Sequence, residues 1–169
     1  MTQLPLLVDA FGRIREVVHE SVDGLSGDDL NYRPDPEANS IAWLVWHLTR
    51  VQDDHIAAVA KSEQIWTSGG FADRFGLPLD ASATGYGHGP ADVEATRIES
   101  AELLTEYYDA VHEHTIDYLE HLALSDVQRV VDDRWDPPVT LAVRLVSVLS
   151  DDLQHAGQAA YLRGLVTRR

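Results

Sequence analysis

Cysteine is absent from the 169 residues, which excludes disulfides, thiolate metal ligands and a nucleophilic thiol borne by the protein. Sulfur chemistry here would need a thiol brought in from outside. Positive charge is also scarce. Lys61 is the single lysine among 13 basic residues, set against 28 acidic ones, for a formal net charge of −15. A field of that sign repels phosphate backbones and anionic headgroups, so neither nucleic acid nor a membrane surface is an expected partner. Long apolar runs are missing as well. Asp9, Arg13, Arg15 and Glu16 interrupt the first turns where a secretory signal would need an unbroken apolar stretch, and nothing approaches the length of a membrane span. A cytoplasmic protein is the expectation. Phosphate-binding templates fail too, because Gly85, Gly87 and Gly89 precede Pro90 and follow no buried strand, and neither HExxH nor a nucleophile elbow occurs.

What is present is helical periodicity. Leu6, Leu7, Ala10, Ile14, Val17 and Val18 recur at three- and four-residue spacings and predict a first helix ending near Gly24. Gly27, Pro34 and Pro36 mark residues 26–39 as a connection, after which Asn39 or Ser40 can cap a second helix over about 41–61. Residues 62–90, rich in glycine, form the longest irregular stretch, a kind of loop that often carries function. From Val93 to Leu122 the spacing predicts a third helix that could exceed about thirty residues. Residues 125–139 read as a crossover linker with a short β-like run at 127–131, and Thr140 can cap a last helix over about 141–165. The length suits one core, so the expectation is a single domain over 1–169, all-α, a four-helix bundle without a sheet.

Three residues on two of these helices suggest chemistry. Asp151 and His155 are four apart and share a helix face, where a carboxylate and an imidazole can address one ion. The commoner use of that spacing is a surface ion pair, but Val148 and Leu162, seven residues to either side of His155, place the pair at the border of the packed surface. Trp43, Leu44 and Val51 surround His47 and turn its ring inward, either as a core histidine satisfied by a hydrogen bond or as the third donor of a bundle metal site. Two imidazoles and one carboxylate leave coordination positions open, the pattern of a catalytic rather than a structural zinc. Asp54 points roughly the same way as His47 and is open to three readings: a fourth ligand, a hydrogen-bonding or acid-base helper, or the ion-pair mate of Arg50.

A rival group, His114, Asp117 and His121, falls at i, i+3 and i+7 on the third helix. Helical arithmetic turns Asp117 and His121 toward solvent, so a solvated face is the expectation there. His19, His55, His88 and His112 belong to no comparable group, although His55 follows His47 by two turns and His88 sits in the glycine-rich loop.

The stretches Trp43-Leu44-Val45-Trp46-His47-Leu48, Asp53-Asp54-His55 and Asp152-Leu153-Gln154-His155-Ala156-Gly157-Gln158 resemble the DinB-like superfamily and, within it, the mycothiol-dependent S-transferases. The resemblance runs from the first helix through the fourth. It implies a four-helix bundle with a divalent metal held by His47, Asp151 and His155. The commoner pattern has His where this chain has Asp151, and a related mycothiol-dependent maleylpyruvate isomerase carries an acidic residue there. The carboxylate, a harder donor, widens the choice beyond zinc to nickel, cobalt, manganese and iron. The activity implied is conjugation of a low-molecular-weight thiol, mycothiol, to electrophilic small molecules for detoxification, with a metal-bound thiolate as nucleophile. Asp54 or His55 would manage the released proton, and Tyr86 and His88 in the glycine-rich loop would close over the thiol co-substrate. The alternatives are a thiol-dependent isomerase, a metal-assisted hydrolase, or a non-catalytic metal-binding stress-response protein. Pairing of two bundles into a homodimer stays open.

Overall fold

The computed structural model describes residues 4–169. Its elements run α1 (Pro5–Val22), α2 (Gly27–Leu30), α3 (Ile41–Ala60), α4 (Ile65–Ser68), α5 (Phe71–Phe75), α6 (Pro90–Ala95), α7 (Ala101–His121), a 3-10 turn (Leu124–Gln128), β1 (Val130–Asp132), β2 (Val139–Thr140) and α8 (Leu141–Val166). The long helices α1, α3, α7 and α8 make the all-α DinB-like bundle, and their starts are written locally. Pro5 opens α1 with its fixed φ. Ser40, Ser100 and Thr140 cap the other three by accepting the backbone N–H of Trp43, Leu103 and Val143 at 3.1, 3.1 and 3.4 Å. Among the described residues no helix is long and apolar enough to cross a membrane.

Around the core, α3 packs against α7 and α8, and α1 packs against the same two. Helices consecutive along the bundle, α1 with α3 and α7 with α8, therefore lie diagonally, which is why the connections between them are long. The core joins Phe11, Ile14 and Val18 of α1 to Leu44 and Leu48 of α3, Leu104 and Val111 of α7, and Leu145 and Val148 of α8. His47 meets His155 while His55 meets Arg144, so α3 and α8 run antiparallel.

Nearly every residue of α3 is buried, because residues 62–90 fold over the face that α7 and α8 leave uncovered. Buried polar groups fasten that cover. Asp53 accepts the backbone N–H groups of Ile65 and Trp66 and the Tyr107 hydroxyl, each at 2.8 Å. Burial raises the pKa of this carboxyl, and those donors, with Arg50, oppose the rise without cancelling it. Arg50, equally buried, donates to the Ala83 carbonyl at 3.1 Å and to Gln64 Oε1 at 2.8 Å, and its guanidinium lies 4.9 Å over the Trp66 ring. One side chain thus holds the start of the loop and the other also reaches its far end.

Several details differ from the sequence expectation, the first being that the short helices α2, α4 and α5 lie within the stretches read as a connection and an irregular loop. The third long helix is interrupted between Ala95 and Ala101. There the Thr96 hydroxyl donates back to the Asp92 carbonyl at 2.8 Å, and Asn31 clamps Ile98 by accepting its N–H at 3.1 Å and donating to its carbonyl at 2.8 Å. Side chains take the backbone partners that a continuous helix would need. The crossover linker also contains a small antiparallel ladder, with Val130 opposite Thr140 and Asp132 opposite Val139.

Replacing Arg50 with Met strips the buried Asp53 of its cation and frees the loop. The expected cost is about 3 kcal/mol, read as a lower urea midpoint, and an unchanged midpoint would contradict the role given to this pair.

Candidate metal centre

The antiparallel contact of α3 with α8 brings together His47, Asp151 and His155. One donor atom of each lies within 4.8 Å of the others, and among the described residues this is the group of three close enough to share an ion. The two imidazole centroids are 4.8 Å apart with planes at 72°, and Asp151 Oδ1 lies 3.6 Å from His155 Nε2.

Each ring is oriented from behind. His47 Nδ1 sits 2.5 Å from the Thr84 carbonyl, and since a carbonyl only accepts, Nδ1 carries the proton and Nε2 presents its lone pair. Trp43, one turn earlier, stacks on the same ring with centroids 4.5 Å apart and planes within 17°. Gly85 closes the other approach with φ +89°, and a Cβ there would fall 2.5 Å from His47 Nδ1 and 3.2 Å from the Trp43 ring. His155 Nδ1 lies 2.9 Å from Gln158 Oε1, which leaves Nε2 facing Asp151. Such outer acceptors fix the tautomer of a metal-binding histidine.

The electrostatics suit a cation. Burial is the main influence on His47 and lowers its pKa, so the ring is neutral near pH 7. Burial opposes protonation of His155 too, but its hydrogen bonding to Asp151 and Gln158 outweighs burial and raises the pKa. Asp151 Oδ2 is buried with no hydrogen-bond partner among the described residues. A buried carboxylate oxygen left unpaired beside two imidazoles would be satisfied by an ion, and the donor set fits a divalent metal with coordination positions to spare.

The group borders a cavity of about 460 Å³ lined by Asp151, Val51, Asp54, His55, Thr84 and Arg144. Asp54 stands outside the three-donor group. It accepts Gln64 Nε2 at 2.8 Å, and its other oxygen lies 3.9 Å from His55 Nδ1. The ion-pair mate of Arg50 is Asp53, at 3.7 Å, and Asp54 reaches Arg50 only through Gln64. Burial first, and the Arg144 charge second, lower the His55 pKa. Tyr86 is 90% exposed on the rim. His88 accepts the Trp43 indole N–H at 3.2 Å and stacks on Trp46 at 5.9 Å, so it braces the plate behind His47.

The rival group on α7 does not assemble. His121 and Asp117 are exposed and His121 Nδ1 contacts the Asp117 carbonyl at 2.8 Å, while His114 Nε2 turns to the Ser62 hydroxyl at 3.2 Å. Thr84, Gly85 and Arg144 are the contributors that sequence reasoning missed. No periodicity links Thr84 to a histidine 37 residues earlier. Arg144, two helical turns before Asp151, was accessible to the spacing rule that found His155.

Residues 6–168 match a family model described as "Mycothiol-S-transferase". A solved structure described as the conserved protein of locus from Enterococcus faecalis is similar at a TM-score of 0.93 and 31% sequence identity, over 100% of this chain and 99% of that one. No curated protein matches the sequence.

Two outcomes are expected. Gly85→Ala should displace the His47 ring and weaken zinc affinity by roughly 10- to 100-fold while the helical circular dichroism stays unchanged. Because the raised pKa keeps His155 protonated further up the pH scale, an ion must displace that proton. Affinity should therefore strengthen as pH rises from about 6.5 and level off above the raised value. Calorimetric titration across pH measures this, and a flat profile would contradict the assignment of His155 as a donor.

Proposed function

Because the chain belongs to the mycothiol-S-transferase family, we propose that it joins the thiol of mycothiol to an electrophilic carbon of a small molecule, a reaction suited to detoxification. The observation that carries this reading is the convergence of His47, Asp151 and His155 beside an open cavity. These residues are proposed to hold a divalent ion, zinc by preference, with Thr84 and Gln158 keeping each Nε2 free to bind. When bound, the ion favours the thiolate form of an incoming thiol.

The remaining chemistry falls to the chain. The lowered pKa of His55 leaves its ring neutral near pH 7 on the cavity wall, and once Arg144 Nη1 gives up its contact the ring takes the proton that the thiol loses. Asp54, 3.9 Å away, steadies the imidazolium so formed. The S–H bond breaks, the S–C bond forms, and the leaving group departs with its bonding electrons. Tyr86 on the rim contacts the body of the thiol, while His88 acts through Trp43 to hold the His47 ring.

With mycothiol and an alkyl halide, thiol consumption should fall to the uncatalysed rate in His47→Ala and in His155→Ala. His55→Gln should retain the metal and lose about 100-fold in kcat. Undiminished turnover in either alanine variant would sink the proposal, and turnover without thiol would replace it with hydrolysis.

A further inference from the structure

The cavity wall beside the three donors contains two arginines that share one carboxylate. Asp132 receives Arg134 through Nε at 2.9 Å, Nη2 at 2.8 Å and the backbone N–H at 3.1 Å. These contacts hold the Asp132 carboxyl well below the usual carboxylate range. Arg144 reaches the same group with Nη2 alone, at 3.3 Å. Its Nη1 lies 3.2 and 3.4 Å from the two ring nitrogens of His55, and a neutral imidazole has a lone pair on only one of them. Of the five N–H donors a guanidinium carries, Arg144 therefore places few. Its Nε makes no hydrogen bond among the described residues, and its side chain is only 19% exposed.

A half-used guanidinium removed from most of its water and facing a cavity is a site for an anion. We infer that Arg144 binds a carboxylate on the electrophilic substrate, so that the cavity takes a small, flat, acidic electrophile whose reactive carbon faces His47, Asp151 and His155. This inference rests on the transferase reading of that site and names its substrate class. Arg144 precedes Asp151 by two helical turns, roughly 10 Å along α8, room for one ring between the acid group and the reacting carbon. Trp135, 64% exposed, and Tyr86 stand on the rim and offer faces to such a ring.

The other charges on the wall already have partners. Asp132 is held mainly by Arg134 and shares one oxygen with Arg144, Asp54 accepts from Gln64, and Asp151 is proposed to face the ion. In a chain with a net charge of −15, a local cation decides where a small carboxylate settles.

The test uses the zinc-loaded full chain with 4-methylbenzoate and its neutral counterpart 4-methylbenzamide as probes, followed by NMR titration so that no turnover is needed. The native protein should prefer the benzoate by about tenfold, and Arg144→Gln should bind both alike. The Arg144 Nε–H resonance of the native protein should also shift with benzoate and not with benzamide, a readout that survives if the variant fails to fold. Equal binding by the native protein, or a preference that persists in Arg144→Gln because the carboxylate sits on zinc, overturns the inference. Thioether formation from 4-(bromomethyl)benzoate and its methyl ester is measured alongside. If neither reacts while the benzoate preference depends on Arg144, the transferase reading fails and the anion site stands.

Discussion

A carbonyl oxygen can only accept, so the Thr84 carbonyl 2.5 Å from Nδ1 decides which nitrogen of His47 is left for chemistry. That contact is made across the fold, between the middle of α3 and residues 76–89, the part of the loop beyond α5 that has no regular structure. It exists because Arg50 and Asp53 anchor the loop to α3, with Arg50 bonded to the Ala83 carbonyl, one residue before Thr84. Buried charge is costly unless it is paired and hydrogen-bonded, and here it is both. The same polar cluster that stabilises the loop therefore sets the aim of an imidazole.

Packing completes what the hydrogen bond begins. Trp43 lies flat against His47 and edge-on to His155, with centroids 6.2 Å apart in the second contact, so one indole restrains both rings. Gly85 keeps the loop close enough for its backbone to replace a side chain against the imidazole. The three donors have unequal surroundings. His47 is buried, while Asp151 and His155 are half-buried and Asp151 lines the cavity.

The helices were legible because apolar spacing and caps are local. Thr140 caps where the sequence placed it, Ser40 is the one of the two candidates Asn39 and Ser40 that caps α3, and α8 ends one residue beyond its expected limit. The convergence of His47, Asp151 and His155 was legible because helical spacing puts Asp151 beside His155 and turns His47 inward. The break at residues 96–100 was hidden, since it depends on the side chain of Asn31, 67 residues away along the chain from Ile98. Spacing singled out Asp54, seven residues beyond His47, and offered it as a mate for Arg50, but the fold gives that role to Asp53. The two are adjacent and identical, and only the fold sends Asp53 to Arg50, Tyr107 and the loop backbone while Asp54 turns to Gln64 and His55.

On this reading, donors from two helices converge on one ion with a place left for an outside sulfur. X-ray absorption at the zinc edge, on stoichiometrically loaded protein before and after mycothiol is added, tests it directly. The expected spectrum has scattering from two imidazoles and oxygen at first, and then a sulfur neighbour at ~2.3 Å. A spectrum without imidazole, or one that gains no sulfur when the thiol is present, would contradict it.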